Sequence, residues 1–159
     1  MLYKAGEVPG EYIVATPDDV LSEAELVAKR KFRRGLLIDS PFKSAEYLKN
    51  LYQQYEHEVF GMVLLDNQHR VITKVELFTG TIDGASVYPR EVIKTTLANN
   101  GAAVILYHNH PSGVVTPSQS DKKITKRIQD ALQAIEVRVL DHIIVGFEGT
   151  FSFAEEGLL

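Results

Sequence analysis

His108 and His110 stand two residues apart at the end of an apolar run, and Ser118 and Asp121 follow within the next eleven positions. On an extended chain, alternate side chains share a face with Cα atoms about 7 Å apart. Two imidazole nitrogens placed so can converge on one metal ion at about 2.0–2.1 Å each. A His-x-His pair by itself serves equally well as two surface histidines in a loop. The segment that follows adds weight. Ile124, Ile128, Ala131, Leu132 and Ile135 form an apolar helical stripe, and Asp121 lies three residues ahead of Ile124 on that same stripe. A carboxylate on a buried face is costly unless a cation or hydrogen-bond donors meet it. Ser118-x-x-Asp121 has the form of a capping box. Thr116-Pro117-Ser118-Gln119 offers a stronger helix start, with threonine at the N-cap, proline at N1 and glutamine at N3. That start places Ser118 and Asp121 inside the helix, three apart and facing together. Two imidazoles and a carboxylate with one position left open compose a hydrolytic zinc site, one ion per chain.

The elements that must position these residues are legible in outline. Ala102 to Tyr107 is a short buried strand that delivers His108, and the helix after the loop runs from about Pro117 to Ile135. Upstream, Thr16-Pro17-Asp18-Asp19 starts a helix reaching about Phe32, and Ser40-Pro41 starts a second that carries Tyr47, Leu48, Leu51 and Tyr52. Val59 to Leu65 is nearly all apolar, as in a strand buried on both faces. After a turn at Asp66 to His69, Arg70 to Phe78 alternates, with Val71, Thr73, Val75 and Leu77 on one face and Arg70, Ile72, Lys74 and Glu76 on the other. Pro89 opens a helix that Asn99-Asn100-Gly101 closes. Val137 to Val145 and Thr150 to Phe153 are two strands joined around Gly146 and Gly149. This order predicts an α/β sandwich, a central mixed β-sheet flanked by helices. Residues 1–39 read as a helical N-terminal appendage and residues 40–159 as the compact domain.

Composition narrows the chemistry further. The chain has 159 residues with no cysteine, which excludes thiol nucleophiles, disulfide scaffolds, cysteine-ligated metals and the cysteine-dependent zinc deaminases. No apolar run is long enough to span a bilayer and Met1 to Glu11 has no signal-like apolar region, so the expected setting is cytoplasmic, without a membrane. A net charge of −4 argues against a protein built mainly to grip phosphate backbone. Lys29, Arg30, Lys31, Arg33 and Arg34 form a basic run after an acidic start; such a run suits a solvated helix end, and a polyanion contact is the alternative. Gly-x-Ser-x-Gly is absent, so no nucleophile elbow is indicated. His142, beside Asp141 in an apolar strand, reads as a satisfied core or sheet-edge group. His57 and His69 read as surface residues. The His108-Asn109-His110 spelling of a nuclease class is coincidental, since that class spreads its letters over a ββα unit.

His108-x-His110, seven residues, Ser118, two residues, Asp121 resembles the JAMM metalloprotease motif of JAB/MPN domains. Leu77-Phe78-Thr79-Gly80-Thr81-Ile82, Pro89-Arg90-Glu91-Val92, His108-Asn109-His110-Pro111-Ser112-Gly113 and Leu140-Asp141-His142-Ile143-Ile144-Val145-Gly146 are similar to segments of the RadC branch. The likeness covers roughly Ser40 to Leu159. It implies an MPN-like sandwich in which His108, His110 and Asp121 bind zinc and Ser118 helps stabilise a tetrahedral oxyanion. It also implies an upstream glutamate base ahead of Leu64-Leu65, either Glu58 or Glu56. Tyr88 stands where RadC-like chains usually carry histidine, and the 57 residues before Glu58 hold no helix-hairpin-helix. The expected activity is zinc-dependent hydrolysis of a peptide or isopeptide bond in a protein or peptide substrate. The rival is a non-catalytic, nucleic-acid-associated module that keeps its metal for stability and relates to DNA repair. It would use the basic run together with Lys122, Lys123, Lys126 and Arg127.

Overall fold

A computed structural model describes residues 1–31, 35–80 and 87–159, with the backbone alone for 29–31. The basic side chains from Lys29 to Arg34, and Thr81 and Ile82, lie outside the described residues. Five strands make one mixed sheet: β3 (Val59–Leu65), β4 (Val71–Thr79), β5 (Ala103–Asn109), β6 (Arg138–Gly146) and β7 (Gly149–Ser152). Their spatial order is β4-β3-β5-β6-β7, and only β5 and β6 run parallel. Parallel neighbours need a crossover, here helix α4 (Gln119–Gln133). A separate antiparallel hairpin, β1 (Tyr3–Ala5) and β2 (Tyr12–Val14), precedes α1 (Pro17–Lys31). The residue pattern predicts only a helix in this region, because strands of three exposed residues carry no alternation to betray them.

The sheet is covered on both faces, and the period of two along its strands sorts the residues. Val59, Val63, Leu65, Ile105 and Tyr107 pack with Tyr47, Leu48, Leu51 and Tyr52 of α2 (Pro41–Tyr52). Phe60, Met62, Leu64, Val104 and Leu106 pack with Val92 of α3 (Pro89–Ala98) and with Ile124, Ile128 and Leu132 of α4. Each of those three buried α4 side chains contributes about 1.5–3 kcal/mol, which holds the helix against the sheet. Ala28 of α1 is buried in the α2-side cluster, so α1 is tied to that layer.

Three boundaries differ from the sequence reading. β5 continues two residues further, through His108 and Asn109, so the first histidine belongs to the strand. Strand β4 does not alternate strictly: the β3–β4 register shifts at Phe60/Gly61 and at Leu64/Leu65, and Val71 faces the α2 cluster while Ile72, Val75, Leu77 and Phe78 face the α4 cluster. Each bulge inserts a residue and resets the faces. The third difference is the start of α4. Ser118, not Thr116, is the N-cap, with extended φ −74° and ψ 167°. The Ser118–Asp121 pair prevails because it satisfies both the N-cap and the N3 backbone N–H groups reciprocally.

Candidate metal centre

Strand alternation carries His108 onto the α4 face of the sheet, where it is fully buried. His110 follows at the strand's exit, its backbone N–H donating to the Val145 carbonyl at 2.8 Å. The loop then folds back so that His110 Nδ1 lies 2.7 Å from the Val114 carbonyl oxygen. A carbonyl only accepts, so Nδ1 carries the proton and a neutral His110 presents a bare Nε2. That nitrogen stands 3.0 Å from His108 Nε2. Gly146 makes the fold-back possible: a Cβ there would run into the Gly113 carbonyl.

Helix α4 brings the carboxylate. Asp121 is buried, with Oδ1 3.3 Å from His108 Nε2 and Oδ2 3.5 Å from His110 Nε2. Oδ2 also accepts from the Ser118 N–H and hydroxyl, each at 2.7 Å, while Ser118 Oγ accepts from the Asp121 N–H at 3.1 Å. Ser118 thus meets Asp121 through both its main chain and its hydroxyl. The molecule contains a second instance of this device. At the start of α1, Asp19 Oδ2 accepts from the Thr16 N–H and hydroxyl, and there Lys4 Nζ takes Oδ1 at 2.7 Å. In one box the outer oxygen faces an ammonium; in the other it faces His108, with His110 against the capping oxygen.

A bare ring nitrogen 3.0 Å from a second one and beside a carboxylate calls for a positive charge at this point. In the metal-free chain a proton serves. The hydrogen bond to Asp121 raises the His110 pKa above its ordinary value against the opposing effect of burial. Burial pushes the Asp121 carboxyl up, but the adjoining His108 and His110 side chains and the Ser118 hydroxyl outweigh it and hold the group well below the usual carboxylate range. A metal serves as well. Donor atoms around a tetrahedral zinc with ~2.0 Å bonds are about 3.3 Å apart, close to the separations found here. The residues present therefore fit such an ion.

Glu58, His108 and His110 also group, each offering one ligand atom, with these atoms within 4.8 Å of one another. Glu58 is half-buried at the entry of β3, whereas Glu56 is exposed. Asn109 places it there. Between the two histidines, this side chain turns to the opposite face of the sheet and accepts from the Val59 N–H at 2.7 Å while donating to the His57 carbonyl at 2.9 Å. Nothing in the sequence assigns Asn109 a role beyond its place between the two histidines, where alternation must turn it to the other face.

His142 is a second residue whose part the sequence did not reveal. It does not pair side chain to side chain with Asp141, which turns to the Ser152 hydroxyl at 2.6 Å and the Ala154 N–H at 3.0 Å. Its ring is fully buried, stacked on Phe153 and edge-on to Phe60, with Nε2 2.8 Å from His108 Nδ1. His57 is exposed and His69 half-buried, and neither is among the grouped ligand atoms.

The RadC-like JAB domain family model matches residues 38–158. A UPF0758 protein of Vibrio cholerae serotype O1 is 51% identical over 140 residues, 88% of each chain. UPF0758 proteins of Nitrosococcus oceani and Tolumonas auensis are each 56% identical over 127 residues, 80% of this chain and 57% of theirs. The chain thus spans little more than half the length of some relatives it matches. With its mixed sheet, its helices on both faces and this match over most of its length, the chain belongs to the RadC-like JAB domain family.

Proposed function

We propose that the chain is a zinc-dependent metallohydrolase of JAMM type that cleaves peptide or isopeptide bonds. One observation carries this reading: the convergence of His108 Nε2, His110 Nε2 and the Asp121 carboxylate at 3.0–3.5 Å, with the Glu58 carboxylate beside them. His108, His110 and Asp121 are the ligands, since Asp121 is buried and locked by its cap. Zinc held there supplies Lewis acidity to a scissile carbonyl and lowers the pKa of water. Glu58, on the half-exposed side, takes the water's proton and passes it to the leaving nitrogen. Ser118 donates to the oxyanion by turning its hydroxyl away from Asp121 Oδ2. The substrate is a protein or peptide.

The test is made on the full purified chain. Zinc affinity is measured by competition with a chromophoric chelator, and cleavage of a mixed peptide library is read by mass spectrometry. The expected result is one zinc per chain, lost in His110→Ala, with cleavage that depends on it. An ordered protein that takes up no zinc overturns the reading. Zinc uptake without hydrolysis favours the non-catalytic alternative, for which Lys122, Lys123, Lys126 and Arg127 form an exposed basic stretch on α4. On the enzyme reading, duplex DNA binds weakly and with steep salt dependence.

A further inference from the structure

We propose that Thr125 and His142 are positioning residues: a hydrogen-bonded relay through them fixes His108 in the tautomer that leaves Nε2 bare toward the metal centre. The inference rests on the zinc reading for its purpose, though its geometry stands without metal. Thr125 Oγ1 lies 2.6 Å from the Asp121 carbonyl oxygen and 2.6 Å from His142 Nδ1. A hydroxyl has one proton, and a carbonyl can only accept. Both contacts are hydrogen bonds only if Thr125 donates to Asp121 and His142 Nδ1–H donates to Thr125. The reverse polarity would leave two oxygens facing each other at 2.6 Å with no proton between them.

From there the assignment propagates. A neutral imidazole with its proton on Nδ1 has a lone pair on Nε2, and His142 Nε2 stands 2.8 Å from His108 Nδ1. The proton of that bond therefore belongs to His108 Nδ1, and His108 Nε2 is left bare, 3.0 Å from His110 Nε2 and 3.3 Å from Asp121 Oδ1. The surroundings keep His142 neutral. It is fully buried and enclosed by Phe60, Phe153 and His108, surroundings that disfavour a charged ring. The relay begins on the main chain of Asp121 and returns to the side chain of the same residue. The first turns of α4 therefore provide both the carboxylate and the polarity that prepares its partner. Groups that orient a metal-binding histidine typically change metal affinity by 10–100-fold.

The experiment pairs Thr125→Val with Thr125→Ser, and His142→Leu with His142→Gln, whose side-chain amide can both accept and donate. Long-range ¹H–¹⁵N spectra of the metal-free wild type, at about pH 8 to neutralise ordinary histidines, report which ring nitrogens are protonated. The expected pattern is Nδ1–H on both His108 and His142. Chelator competition then gives zinc affinity, expected to fall about 10–100-fold in Thr125→Val and to recover in Thr125→Ser. Thermal melts identify any variant that fails to fold; if His142→Leu does, the threonine pair decides. A wild-type His108 protonated on Nε2 with Nδ1 bare overturns the relay, even where zinc binds. Wild-type zinc affinity in a folded Thr125→Val also overturns it. The expected tautomers in a protein that takes up no zinc would uphold the relay and sink the zinc reading instead.

Discussion

Truncating Asn109 to alanine tests the link between the strand register and the candidate base. Asn109 is buried at 2% exposure, and its Oδ1 is the acceptor of the Val59 N–H at 2.7 Å, inside the core. Without it that donor has no partner, at a cost of about 1–3 kcal/mol. The His57 carbonyl loses its 2.9 Å bond but is only partly buried, so water can replace it. Its loss adds about 0.5–1 kcal/mol. The sum is about 1.5–4 kcal/mol, or roughly 3–16 °C in Tm for a chain of this size. Glu58 is bonded directly to Val59, so the same slackening displaces its carboxylate. A displacement of about 1 Å is enough for a hundredfold loss of turnover. Zinc affinity should change much less, because His108 and His110 are held by His142 and Val114. Asn109→Asp should not rescue, since it turns the donor facing His57 into another acceptor. Thermal unfolding, zinc titration and turnover on any peptide the wild type cleaves are measured on the same preparations. An Asn109→Ala protein with wild-type Tm and turnover would falsify this account; lost zinc at unchanged Tm would show that Asn109 serves the ligands and not Glu58.

Three further outcomes follow from the geometry. Glu58→Gln should lower turnover by about two to four orders of magnitude while leaving zinc content unchanged, and Glu56→Gln, at an exposed position, should leave both turnover and zinc content unchanged; equal losses in both would misplace the base. Zinc affinity should fall about tenfold per pH unit once His110 is protonated, beginning above its ordinary value near 6.5 because the Asp121 hydrogen bond raises its pKa. In the metal-free chain that raised pKa works the other way: its contribution to stability is complete below about 6.5 and is lost as pH rises through the folded value, so apo stability and zinc affinity should move oppositely. A pH-independent affinity across this range counts against His110 as a ligand. Gly146→Ala should push the Gly113 carbonyl aside and move the His110 loop, costing about 1–3 kcal/mol of stability and about tenfold or more in zinc affinity; full affinity in a crystal or titration of this variant would mean the loop yields elsewhere.

Local pattern determined much of this protein from the sequence alone. The apolar run Val59–Leu65 is the central strand β3, and the Ser40-Pro41 start is the N-cap of α2, because burial period and capping chemistry act within a few residues. His-x-His followed by Ser-x-x-Asp marked the candidate centre for the same reason: one strand end and one helix turn supply the donors. Even the misplaced helix start was a choice between two overlapping caps, settled by which pair could satisfy both ends of the box. What only the tertiary structure decided involves partners distant in sequence. His142 meets His108 across 34 residues, Thr125 meets His142 across 17, and Asn109 holds Val59 across 50. Each of these contacts depends on the parallel pairing of β5 with β6, the crossover of α4 or the antiparallel pairing of β3 with β5. A lone buried histidine or asparagine has the same letters whether it fills space or directs a proton. The packing of strands and helix places an acceptor opposite each donor, and that opposition gives His142, Thr125 and Asn109 their roles.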